Sequence, residues 1–315
     1  MLCYVLLKFH LKSQYNIAFR KFEDVDFNRF GDVLSAYKNA IQHEKQLSAL
    51  KEKFDFGLLQ NKFKNESCPL RNLTLMDEKS TTALLSYPAS GNSWTRHLIE
   101  QLSGISTCAP SNRKRGCIVF KMHRHTPEVL KRFDNAIIII RNPLYSSKSF
   151  FHFKYGKQKD KPLSNRTAIE RHKGYADPSL FFSSKWTNHV TKGLLKWRNS
   201  YIGWLNVFKR KGMILVYEHM QQNLVEDMTR IVRYLKIPVT PRDFWCAFVN
   251  QEGKKHRIPE NKTVTKVSNI FTAKQKRTAL KYVCEVSRVA RDLGIDLDIS
   301  QWTDLTETPN TTLCL

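Results

Sequence analysis

Hydrophobic and polar positions alternate along this chain with two different periods. From Val33 to Phe54, apolar residues fall at Val33, Tyr37, Ile41, Leu47, Leu50 and Phe54 among Lys, Glu and Gln. That spacing predicts an amphipathic helix, either packed on a neighbouring domain or serving as a stem. Asn61 to Ser80 is polar and reads as a linker. Beyond it, short apolar runs alternate with helical patterns. The runs Thr81–Ser86, Cys117–Lys121, Ala136–Ile140 and Met213–Tyr217 predict strands, and the helices between them imply a parallel sheet. Asn223 with Glu226 predicts a capping-box start for a helix carrying Leu224, Met228, Ile231, Val232 and Leu235. Thr240-Pro241 places proline at a first helical position. Thr272 with Gln275 opens a last helix ending near Gly294. The expected class is α/β, with helices on both faces of the sheet.

The organisation follows. Residues 1–30 carry no assigned pattern, 31–80 form a helical stem or linker, 81–305 the main domain, and 306–315 a tail. Met1 to Leu11 is apolar but interrupted by Lys8, far short of the roughly twenty residues a bilayer requires. It reads as the remnant of a signal-anchor, or as the start of a protein that is not secretory.

The stretch Ser86-Tyr87-Pro88-Ala89-Ser90-Gly91-Asn92-Ser93-Trp94 joins the first strand to a helix whose face is marked by Trp94, Leu98 and Leu102. Gly104 is its expected cap. Small residues allow the backbone to approach a ligand, and a helix N-terminus with its loop amides suits a phosphate. Ser90 and Ser93 add hydroxyl donors. No G-x-x-x-x-G-K-[ST] pattern is present. A plain strand-to-helix turn fits the same residues.

Two further strand ends carry chemistry. Ile137-Ile138-Ile139-Ile140 ends at Arg141-Asn142-Pro143, where open α/β sheets bind ligands. A guanidinium there can grip a phosphate in bidentate fashion, and Ser149, eight residues on, can return on the following helix. A capping arginine with a surface serine is the plainer alternative. Phe120-Lys121-Met122-His123 ends another strand. An imidazole near neutral pKa can take the proton of an attacking hydroxyl, and Lys121 can stabilise developing charge. His125 is a rival base, and Arg124 is a further cation. Trp197 and Trp204 are read as core, and Glu218 as a structural ion-pair partner.

Charge and cysteine change the picture next. Lys and Arg total 52 against 28 acids, a formal net charge of +24, which favours a polyanionic partner or a phosphate-rich ligand. The basic residues are scattered without a nucleic-acid-binding motif, so nucleic acid is not the expected partner. Seven cysteines contain no C-x-x-C pair, and no ligand cluster suggests a metal. Five N-x-[ST] triplets, at Asn65, Asn72, Asn165, Asn261 and Asn310, lean with the cysteines toward a secretory lumen. Cys108 and Cys117 flank a short basic segment and are expected to pair.

These motifs together resemble a family. Tyr-Pro-x-Ser-Gly-x-Ser-Trp is similar to the 5′-phosphosulfate loop of sulfotransferases that use 3′-phosphoadenosine 5′-phosphosulfate (PAPS). Arg-Asn-Pro, five residues, Ser149, then Phe150-Phe151-His152-Phe153 resembles their 3′-phosphate motif. Lys121-Met122-His123 resembles the element holding their general base. Trp186-Thr187-Asn188-His189-Val190 and Tyr217-Glu218-His219-Met220 are similar to two later segments, and Gly253 to Arg257 resembles a basic loop before Phe271-Thr272. The likeness spans about residues 81–300. The loop's form is most similar to the sulfotransferase-like domain of WSC-domain-containing proteins, whose proposed acceptor is a sialylated glycan in the Golgi.

The resemblance implies a P-loop-like parallel sheet of four to five strands. It implies PAPS as co-substrate, with no metal. His123 and Lys121 would be catalytic. Ser90, Gly91, Asn92, Ser93 and Trp94 would hold the 5′ end, Arg141, Ser149 and Arg257 the 3′-phosphate, and Tyr217 the adenine. The acceptor would be a glycan or glycoprotein, with attachment to a Golgi membrane through an N-terminal anchor; a complete N-terminus would instead mean a cytoplasmic protein. An inactive module binding acidic glycans is the alternative. One departure favours it: sulfotransferases commonly place Lys or Arg just before Ser-Gly, and here stands Ala89. Lys121, Arg96 or Arg124 would have to replace that charge.

Overall fold

The computed structural model describes residues 54–77, 81–110, 116–123, 126–156, 174–253, 265–305 and 314, all in the unit Phe54–Leu315. The expected helix Val33–Phe54, except Phe54, lies outside them, as do Arg124, His125 and Arg257. Among the described residues no helix is long and apolar enough to cross a membrane.

Four strands form one sheet in the order β2-β1-β3-β4: β1 Thr82–Ser86, β2 Phe120–Met122, β3 Asn135–Ile140 and β4 Gly212–Val216. Every pairing is parallel, with Ala83 opposite Phe120, Leu84 opposite Ile137, and Ile138 opposite Ile214. The continuous apolar runs have their cause here. Side chains alternate between faces, and both faces are covered. Ala83, Leu85, Ile138 and Ile140 join a core with Trp197, Tyr201 and Trp204, while Leu84, Ile137 and Ile139 between them are equally buried.

The helices used below are α1 (Phe56–Phe63), α2 (Asn92–Ser103), α3 (Pro143–Tyr155), α4 (Ser184–Phe208), α5 (Leu224–Leu235), α6 (Pro241–Val249) and α7 (Ala273–Asp292). Helix α4 packs against α3 and α7, and α2 packs against α6. Gly104 ends α2 in the left-handed conformation, φ 69°. Asn142 caps α3 by accepting from the Leu144 amide, with Pro143 at the first position. Thr240 caps α6, and Thr272 with Gln275 forms a complete capping box on α7.

Four expectations shift. Asn223 stands at the N-cap of α5, but its side chain makes no capping bond. The second strand begins later than expected, because Ile118, Val119 and Lys121 exchange backbone bonds with Ser106 and Cys108 instead. Tyr217 lies past β4, opening a helical turn. The stretch read as a linker packs down, for Arg71 donates to the Leu102 carbonyl, and just before it Phe54 stacks on Phe244 at 4.2 Å. Cys108 pairs with Cys117 as expected, and Cys68–Cys246 and Cys284–Cys314 are also bridged.

Candidate active site

A cavity of about 1020 Å³ opens at the carboxyl ends of β1, β2 and β3. Its wall brings together Gly91, Asn92, Ser93 and Trp94 with Lys121, His123, Arg141, Ser149 and Tyr217. Residues from four separate stretches of sequence thus meet in one space.

The loop before α2 supplies one wall. Gly91 caps the helix at φ 92°. A Cβ there would come within 2.6 Å of Cε2 of Tyr217, so glycine is needed for both conformation and space. The first amides of α2 have no intrahelical acceptor and are open to an anion. Asn92 contributes only backbone here, because its side-chain amide donates to the Leu84 carbonyl and to Ser86 Oγ, both at 3.2 Å. Ser90 is fully buried and does not line the cavity, whereas Ser93 does. The expected hydroxyl pair is therefore reduced to one. Trp94 is fixed by its indole N–H to the Gln251 carbonyl at 3.0 Å, and its ring meets Tyr217 edge-on at 5.6 Å.

Arg141 follows β3 directly. Its Nη1 donates to the Ala89 carbonyl at 2.8 Å, and its guanidinium lies 4.2 Å from the centre of the Tyr217 ring. Glu218 stands 3.9 Å from Nε, which is buried and makes no hydrogen bond. A buried donor without an acceptor fits a site built for an anionic ligand. The Glu218 carboxylate also accepts from Trp302 Nε1 and the Asn142 amide, matching its expected structural role. Burial nevertheless pushes its carboxyl above the usual range, against the pull of Arg141.

His123 Nδ1 lies 2.6 Å from the Ser86 carbonyl. An N–H there must donate, which leaves the Nε2 lone pair as the ring's acceptor. Burial, then Lys121, and less strongly Lys196, push its pKa down to about 4. The imidazole is thus neutral at pH 7, but less basic than the near-neutral group expected from sequence. His189 is likewise driven to about 4, mainly by burial, and its Nε2 meets the Ser147 carbonyl at 3.0 Å. It braces α4 against α3.

Ala89 adopts φ 62°, a left-handed conformation that costs an alanine about 1–2 kcal/mol. Nothing in its residue type announces this. Of the cations expected to replace a loop charge, Arg96 is tied to Thr107 through Nε at 2.6 Å and faces Glu100 at 3.8 Å. Lys121 remains on the wall beside His123.

A family model described as sulfotransferase domain matches residues 111–278. A WSCD family member from Aedes aegypti is 26% identical over 200 residues, covering 57% of this chain and 59% of that protein. Another from Drosophila melanogaster is 23% identical, covering 55% of each. The chain thus spans little more than half the length of these curated relatives. Among solved structures, mouse sulfotransferase SULT7A1 complexed with PAP is similar at TM-score 0.48 and 18% identity, covering 70% of this chain and 88% of that one.

Proposed function

Because the chain belongs to the sulfotransferase domain family, we propose that it moves a sulfuryl group from PAPS to a hydroxyl of a glycan, a sialylated one in the first instance. The observation that carries this reading is the shared wall. His123 offers an unengaged Nε2 to the same cavity as the loop amides of α2 and the Arg141 guanidinium.

PAPS supplies the activated sulfuryl group. The chain's residues do the rest. Amides from Gly91 to Trp94 and the Ser93 hydroxyl hold the 5′ end. Arg141 and Ser149 hold the 3′-phosphate, with Arg257 assigned to the same group, and Tyr217 borders the adenine. His123 Nε2 takes the proton of the acceptor hydroxyl as its oxygen attacks sulfur in line. The bond from sulfur to the phosphate oxygen breaks, and adenosine 3′,5′-bisphosphate leaves. Lys121 offsets charge on the transferring group. The donor's own negative charge raises the depressed pKa of His123 at the moment a base is needed.

Three disulfides support a secretory, oxidising compartment, such as the Golgi lumen, and the reading includes a membrane anchor N-terminal to the domain. The proposed enzyme domain is 81–305. Ala89 favours a second reading, an inactive module that keeps the nucleotide site and binds acidic glycans.

The test is calorimetric titration with adenosine 3′,5′-bisphosphate. Micromolar binding, about −8 kcal/mol, is expected. No binding by folded protein would overturn the reading, and binding without turnover across acceptors would favour the inactive module.

A further inference from the structure

Beside the nucleotide cavity lies a second one of about 550 Å³, and Phe150 and Tyr155 stand on its rim. Phe150 lines both spaces, so they meet at its ring. Four lysines face the second cavity: Lys154 from the last turn of α3, and Lys185, Lys192 and Lys196 from α4. The three on α4 fall at intervals of seven and four, which places them on one face of the helix. Among the described residues no carboxylate lines this cavity, and none of the four lysines forms an ion pair.

Two of these ammonium groups lie against aromatic rings instead. Lys154 lies 4.4 Å from the centre of Phe150, and Lys185 lies 5.4 Å from that of Tyr155. Like charges crowd one another here. Burial first, then Lys196, lowers the pKa of Lys154. The same Lys196 reaches His123 electrostatically, and His123 lines the neighbouring nucleotide cavity that shares Phe150. Gly193 lets α4 pack closely on Tyr87 beneath the cavity, since a Cβ there would lie 3.0 Å from the Tyr87 hydroxyl.

A neutral acceptor would leave this repulsion uncompensated. An acceptor with its own acid groups would relieve it, and would be oriented by it. We infer that the cleft between α3 and α4 is the acceptor subsite, in which Lys154, Lys185, Lys192 and Lys196 bind the carboxylates of an acidic saccharide. This deepens the proposed function and rests on it for the role of His123. The occupant is a carboxylated saccharide rather than a nucleic acid, because the cleft is a pocket of limited volume floored by Tyr87 and Gly193, not an extended groove. The lysines specify acidity, and the volume of about 550 Å³ leaves room for a sugar ring.

The experiment measures saccharide binding without the donor, so its outcome is separate from that of the nucleotide titration. The full chain is titrated with a short sialic acid oligosaccharide, with the methyl ester of that oligosaccharide, and with a short single-stranded oligodeoxynucleotide. The Lys192→Ala/Lys196→Ala variant and the Lys192→Arg/Lys196→Arg variant are titrated beside it. Expected are binding of the free acid but not the ester, a loss of at least about tenfold in the alanine variant, and recovery in the arginine variant. Bisphosphate affinity should be unchanged in both variants, which also reports that they fold. Equal binding of acid and ester, an alanine variant with undiminished affinity, or tighter binding of the oligodeoxynucleotide would each overturn the inference.

Discussion

Arg141 Nη1 donates to the carbonyl of Ala89 at 2.8 Å, tying the end of β3 to the loop that opens α2. One guanidinium therefore shapes the loop and faces the cavity. Arg141→Ala removes the forked cation and leaves the Glu218 carboxylate buried without its counter-charge. Bisphosphate affinity should fall by about 2–3 kcal/mol, roughly 30- to 150-fold, in calorimetry. Arg141→Lys should recover little of it, because an ammonium cannot serve the loop carbonyl and a phosphate with the same fork.

Gly91→Ala should damage the same site by a different route. The new methyl meets the Tyr217 ring at a backbone angle of φ 92°. A cost of about 1–3 kcal/mol in thermal or denaturant unfolding is expected, together with weakened bisphosphate binding. Ala89→Gly, by contrast, relieves left-handed strain and should stabilise the fold by about 0.5–1 kcal/mol.

His123→Ala should lower kcat by about 10²- to 10⁴-fold while leaving bisphosphate affinity intact, if sulfuryl transfer to a glycan is followed. Equal loss of both would assign His123 to the fold rather than to proton transfer.

Stability should fall as the pH drops from about 6.5 toward 4. His123 and His189 are both held near pKa 4 in the folded chain, while an unfolded histidine takes its proton near 6.5. Between these values the unfolded state binds protons that the folded state refuses, so protonation favours unfolding. Each contributes on the order of 3 kcal/mol, fully present above pH 6.5 and lost by about pH 4. The slope of unfolding free energy against pH should flatten in His189→Gln, whose amide can still reach the Ser147 carbonyl.

The sheet was legible because its strands are buried on both faces. A run such as Ala136–Ile140 has no polar member to confuse the reading, and Arg141 marks its end. The residues of the loop, of the candidate base His123 and of the stretch Arg141 to Ser149 were legible in order. Their relations were not. That Ser90 lies beneath the loop while Ser93 faces the cavity depends on a turn spanning Tyr87 to Ser90. The low pKa of His123 depends first on burial, then on Lys121, and less on Lys196, which reaches it from a distant helix. The lysines of α4 look in sequence like a solvated helix face; only the approach of α3 turns that face into a cavity wall. The Cys68–Cys246 and Cys284–Cys314 bridges could not be deduced, since spacing does not fix connectivity.

The bridge between Cys68 and Cys246 joins positions 178 residues apart, and all four strands lie between them. The sheet is therefore enclosed in a covalent ring. A protease that nicks one loop within it opens the ring without freeing a fragment; two cuts are needed to release one. The ring also has a fixed place in the chain's history. During synthesis every strand leaves the ribosome before Cys246 does, so the sheet's segments are all available before the ring can close. Oxidation at this pair seals an arrangement of strands rather than guiding it, and a nascent chain stopped short of Cys246 would carry the whole sheet sequence with Cys68 still denied its native partner.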